Sequence, residues 1–153
     1  MTVLQGKLAD RSAWSAVGEC PIEKTMGLLG TKSAMLILRE AYYGTTRFDD
    51  FCTRVGITRA AAAARLNELV DAGLLTRRPY REPGQRAREE YVLTQKGVDF
   101  MPVVWAMFEW GRKHLPTRST LRLAHTCGAE ASVEIRCAEG HPVPPDELVV
   151  RLP

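Results

Sequence analysis

The chain has 153 residues, 45% of them hydrophobic and 25% charged, with a formal net charge of +3. These values suit one folded domain, or one domain with an appendage, and exclude wholesale disorder. The charge is too small to announce a nucleic-acid partner by itself, so the placement of the cations carries the information.

Residues 1–19 hold scattered apolar positions without firm periodicity and are expected to form an arm. They are expected to be disordered or to dock on a partner subunit. The opening MTVLQGKLADRSAW lacks the basic segment, apolar run and small-residue site of a secretory leader. No later stretch is apolar for long enough to span a bilayer. A cytoplasmic protein without membrane contact is expected. In that compartment Cys20, Cys52, Cys127 and Cys137 read as thiols or ligands before they read as disulfides.

From Cys20 the pattern becomes regular. Ile22, Met26 and Leu29 form a spaced apolar set before Gly30, and the run through Met35, Leu36, Ile37 and Leu38 is apolar nearly all round, as for a helix buried in a domain. In RFDDFCTRV, Phe48, Phe51, Cys52 and Val55 recur at helical spacing. Gly56 then ends that helix, Thr58 caps the next with its hydroxyl, and Gly73 closes it. Within this second helix Ala62, Leu66 and Leu69 share one face, while Arg59, Ala60, Ala63, Ala64 and Asn67 lie away from it. Two short helices joined by a glycine turn make a helix-turn-helix.

Strand-like runs at residues 74–78 and 91–93 follow at once. The segment PYREPGQRARE between them carries Pro79, Pro83 and Gly84 with Arg81, Arg86 and Arg88. This predicts a hairpin with a cationic tip, and a helix-turn-helix followed by a basic hairpin is the winged-helix order. Every cation from Arg47 to Arg88 is arginine, whose planar fork suits phosphate and guanine edges. The bland alternative is a solvated charged face.

The runs CPIEKTMGLLG, ILRE, GTTRFDDF, GITRAAAAARLNELVDAGLLTRR, YVLTQKG and WAMFEWG, in this order across residues 20–115, resemble the HxlR-type family of bacterial winged-helix transcriptional regulators. The resemblance implies a homodimeric DNA-binding repressor or activator with the second helix and wing of each subunit on one half-site. It also implies an oxidant- or electrophile-sensing role for Cys20, since several family regulators sense through a cysteine at that position. The other reading of Cys20 is packing at the dimer contact. This chain departs from the family where a glycine and a tryptophan usually flank the lysine near Lys32, for here Thr31 and Ser33 stand.

On this reading Arg47, Arg54, Arg77, Arg86 and Arg88 neutralise phosphates, while Thr58, Arg59, Arg65 and Asn67 approach the major groove. The alanine run offers only methyl contacts to bases, so phosphate placement, wing contacts and DNA shape should carry much of the specificity. After the wing, Thr94 caps a further helix in which Pro102 should kink or restart the chain. Met101, Trp105, Phe108 and Trp110 make that helix apolar on more than one side and are the predicted dimer interface.

Residues 116–153 alternate in LRLAH, SVEIRC and ELVVRL, which predicts a small antiparallel β appendage. It contains His125, Cys127, Cys137 and His141, but the spacing lacks the paired ligands of a structural zinc knuckle, and no metal or other cofactor is expected. With no glycine-rich phosphate loop, HExxH pair or nucleophile elbow, catalysis is not expected either.

The expected fold is α+β. A winged helix-turn-helix domain with its dimerisation helix occupies residues 20–115, between an arm (1–19) and the β appendage (116–153). The expected partners are an operator in double-stranded DNA and a second copy of the chain. A small-molecule effector in an apolar cavity between the dimer helix and the helix through Met35 is a further expectation. The alternative class is a winged-helix module that holds another protein instead of DNA, recognisable by acidic or apolar faces in place of the arginines.

Overall fold

The computed structural model describes residues 1–152. In chain order the elements are β1 (Val3–Leu4), α1 (Pro21–Leu29), α2 (Lys32–Tyr42), α3 (Phe48–Val55), α4 (Arg59–Asp71), β2 (Leu75–Tyr80), β3 (Arg88–Leu93), α5 (Gln95–Asp99), α6 (Met101–His114) and β4 (Val149–Val150). They gather into two units, residues 24–108 and residues 1–23 with those from 109 onward. The first is a winged helix and holds the candidate site.

Its core is built by α2, α3 and α4 with the strands of the wing. Ile37, Leu38, Phe51, Leu66, Leu69, Leu74 and Leu75 are fully buried, and Phe51 meets the ring of Tyr91 edge-on at 6.3 Å. The helix ends follow the local chemistry of the sequence. The Thr31 hydroxyl accepts from the Ala34 N–H at 3.2 Å and so caps α2. Gly56 closes α3 in the left-handed conformation at φ 72°, a geometry open to glycine at little cost.

The wing is a longer ribbon than the alternation alone predicts. β2 and β3 pair antiparallel from Leu75 with Leu93 out to Tyr80 with Arg88, so Pro79 stands in a strand opposite Glu89. A two-stranded ribbon has outward edges, where a missing N–H is tolerated. At its base the Tyr91 N–H donates to the Thr46 carbonyl at 2.8 Å.

Thr94 ties the wing to the end of α4. Its hydroxyl donates to the Gly73 carbonyl at 2.6 Å and accepts from the Gly97 N–H at 3.1 Å as the cap of α5. Gly97 is pressed on the same turn, where a Cβ would lie 2.3 Å from the Leu74 carbonyl oxygen. The Tyr42 hydroxyl donates to the Gly97 carbonyl at 2.7 Å, and burial pushes its phenol up to about 12. α5 ends at Asp99, and α6 starts at Met101 with Pro102 in its first turn, as its fixed φ favours.

The second unit corrects the expected appendage. Its three alternating runs do not form one antiparallel sheet. Instead β4 pairs in parallel with β1, Val149 with Val3 and Val150 with Leu4, so the arm is tied to the chain's last segment. Two small antiparallel hairpins precede it, at Ala124 with Glu130 and Arg136 with Pro142. They share one hydrogen-bond pattern: His125 N–H to Ala129 and Gly128 N–H to His125 in the first, Cys137 N–H to His141 and Gly140 N–H to Cys137 in the second. Tight turns around Gly128 and Gly140, both at positive φ, leave each run too short for a ladder. Alternation describes faces but does not choose partners.

Candidate nucleic-acid interface

Residues Arg59–Asp71 form α4 because Thr58 caps its start and an alanine-rich segment has the highest helix propensity. Ala62, Leu66 and Leu69 are buried against the core. Thr58, Arg59, Ala60, Ala61, Ala64 and Asn67 are exposed, with Ala63 and Arg65 half-buried. One member of the alanine run therefore packs fully, and the rest of the outer face is low and open. Side chains of this kind let a helix approach a surface closely.

The arginines at this face are not all free. Arg59 is ion-paired with Asp49 of α3, and its guanidinium lies 4.8 Å from the Phe48 ring centre. Arg65 pairs with Glu68 within α4. Arg77 of the wing donates to the Asn67 side-chain oxygen at 2.5 Å and stands 3.6 Å from Glu89. That bond ties the outer face of α4 to β2. Arg54, Arg86 and Arg88 are exposed and carry no ion pair among the described residues.

Arg47 faces inward. Its guanidinium sits 3.1 Å from the centre of the Tyr80 ring and 3.6 Å from Glu90, and its Nη1 is buried without a hydrogen-bond partner. Glu90 is the hub here. Arg78 donates to it at 2.8 Å through Nε and 2.7 Å through Nη2, although Glu90 is only 8% exposed. Hydrogen bonds from Arg78 and then Thr46 hold its carboxyl below the usual glutamate range, against the opposing effect of burial. Sequence reasoning missed Arg78, Glu90 and Tyr80. The strand register alone, with Arg78 opposite Glu90, would have shown the pair.

A cleft of about 290 Å³ opens where the starts of α3 and α4 meet the wing. Arg47, Arg59 and Arg88 supply cations to its wall, Asp49 and Glu89 supply carboxylates, and Phe48 and Tyr80 supply rings. The first residues of the second helix and the cationic hairpin are thus one continuous surface.

The remaining candidates fall elsewhere. Cys20 immediately precedes α1, is half-buried, and donates its N–H to the Ala16 carbonyl at 2.8 Å. Trp105 packs its ring on Tyr42 at 6.0 Å, Tyr43 at 5.7 Å and Phe108 at 6.2 Å, so this half of the predicted interface set is engaged within the subunit. Met101 and Trp110 are exposed, as are Val103 and Met107 of α6 and Ile22 and Met26 of α1. Among the described residues no three His, Cys, Asp or Glu side chains group as a metal site would need, and Cys127 and Cys137 are exposed thiols.

The HxlR-like helix-turn-helix family model matches residues 28–119. This chain belongs to the HxlR-like helix-turn-helix family. It is 34% identical over 119 residues to an uncharacterized HTH-type transcriptional regulator of Mycobacterium tuberculosis, covering 76% of this chain and 74% of the relative. The crystal structure of PA1607, a candidate transcription factor, superimposes with a TM-score of 0.76 at 28% identity, over 89% of this chain and 96% of that one. The redox regulator HypR in its reduced form matches with a TM-score of 0.56 at 29% identity, over 61% of this chain and 92% of its own. As an HxlR-like protein the chain is a transcriptional regulator of winged-helix type and not an enzyme. No helix among the described residues is long and apolar enough to cross a membrane.

Proposed function

We propose that this HxlR-like regulator binds an operator in double-stranded DNA as a homodimer and represses transcription, with α4 in the major groove and the β2–β3 wing on the backbone. The observation that carries this reading is the continuity of the exposed face of α4 with the wing, through the Arg77 to Asn67 bond and the cleft shared by Arg59 and Arg88. Thr58, Arg59, Arg65 and Asn67 are assigned to the groove. Arg47, Arg54, Arg77, Arg86 and Arg88 are assigned to phosphates, Arg47 from its place on the Tyr80 ring at the cleft wall. Two such helices related by a dimer axis reach half-sites about 34–36 Å apart.

Phosphate contacts release counterions, so affinity falls linearly with salt on logarithmic axes, with a slope of roughly −0.9 per phosphate neutralised on duplex DNA. Titration of fluorescent duplexes at several salt concentrations should therefore give a steep line. Replacing Arg86 and Arg88 together by alanine should flatten it by up to roughly two contacts' worth, about 1.8 in slope. A flat line for the wild type would sink the proposal.

Signal input is proposed at Cys20, since the matched HypR is described as a redox regulator. Mild oxidant should then release DNA from the wild type and leave Cys20→Ser bound. An unchanged response in that variant would remove Cys20 from the mechanism.

A further inference from the structure

We propose that Asp49 and Glu89 act as carboxylate stand-ins for DNA phosphates, holding the interface arginines in the free protein and limiting binding to DNA that lacks the operator. The inference rests on the DNA-binding reading above and deepens it. Asp49 pairs with Arg59 at the start of α4, and Glu89 stands 3.6 Å from Arg77 on the wing. Both carboxylates line the cleft where Arg47, Arg59 and Arg88 converge.

Neither pair is accounted for by the stability of the fold. The Arg59 and Asp49 side chains are 72% and 63% exposed, and exposed pairs contribute little to folding. A carboxylate on a surface that must receive a polyanion opposes that partner directly. Its two oxygens, however, offer a guanidinium the same planar acceptor geometry as a phosphate. DNA arriving at the cleft must exchange one acceptor for the other and bear the repulsion of the acid left beside it.

The consequence differs between DNA partners. Binding to arbitrary sequence is almost wholly electrostatic, so it registers the full opposition of the two acids. Operator binding adds base contacts that depend on where Arg59 points. Asp49, together with the Phe48 ring beneath the guanidinium, fixes that direction. Asp49 is thus a positioning residue whose loss strengthens non-specific binding more than operator binding.

The first turn of α3 supplies its own control, because Asp50 is also acidic and exposed there but has no arginine partner among the described residues. Asp49→Asn, Glu89→Gln and Asp50→Asn each remove one negative charge. Their affinities would be measured against two duplexes, one of random sequence and one enriched from a random pool on the wild-type protein. Asp49→Asn and Glu89→Gln should bind the random duplex about two- to fivefold more tightly near 0.1 M salt. Their salt slopes should steepen by roughly 0.9. The ratio of operator to random affinity should fall for Asp49→Asn and hold for Asp50→Asn. Unchanged or weaker random binding in Asp49→Asn, or an equal effect from Asp50→Asn, overturns the inference while leaving the DNA reading in place. Wild-type protein that binds neither duplex overturns both.

Discussion

Glu90 shows how one residue decides whether the wing has a fixed base. It is buried, yet charged, because Arg78 forks onto it from the opposite strand and Arg47 closes from the start of α3. Since these partners hold its carboxyl below the ordinary glutamate value of about 4.3, the folded state binds its proton less readily than the unfolded chain. Its contribution to stability is therefore complete above that ordinary value and is lost as pH falls through the depressed folded value. Thermal melts of wild type and Glu90→Gln should differ most at neutral pH and converge as the solution is acidified. Parallel melting curves across the acid range would show that Glu90 is not the group responsible. The arginines around it illustrate a related point: Arg47 lies on the Tyr80 ring and near Glu90 while also lining the cleft, so the wing's own residues set where its guanidinium stands.

At the scale of elements, the unit that matters is the joint between the end of α4, the base of the wing and α5. The Thr94 hydroxyl gathers backbone groups of Gly73, Leu74 and Gly97 there, with the Tyr42 hydroxyl closing the group from α2. A methyl on Gly97 has no space, since its nearest neighbour would be the Leu74 carbonyl and not the end of a flexible side chain. Gly97→Ala should therefore destabilise the fold by roughly 1–3 kcal/mol, the usual range for overpacking. It should also weaken DNA binding by tilting the wing relative to α4. Denaturant unfolding and the salt titration would check the two effects separately. A variant as stable as the wild type would mean that the joint relaxes without loss.

For the molecule as a whole, the open question is what covers the apolar side chains that the subunit leaves in water. On α6, Val103 and Met107 are 46% and 54% exposed, and on α1, Ile22 is 73% exposed. Exposed apolar side chains in such number along one helix are a common feature of subunit interfaces. On the proposed reading of a dimer on a two-fold symmetric operator, the occupant is a second copy. Met107→Glu should convert a dimer to a monomer in sedimentation measurements and weaken operator binding, since each half-site then binds alone. A wild-type protein that is monomeric at micromolar concentration would contradict the arrangement.

The sequence by itself determined the winged helix, for physical reasons that are local. Capping hydroxyls at Thr58 and Thr94, left-handed glycines at Gly56 and Gly73, and the helical stripe of Ala62, Leu66 and Leu69 each act within a few residues of themselves. The basic hairpin was legible for the same reason, its tip marked by proline, glycine and arginine. Only the tertiary structure decided pairing. Nothing local says that Arg59 meets Asp49, that Arg77 reaches Asn67, or that Arg47 turns inward to Tyr80. The same holds for β4, whose alternation was plain but whose partner is β1, at the other end of the chain. A side chain's propensity depends on its neighbours in sequence. Its charge partner depends on which elements the buried core brings side by side.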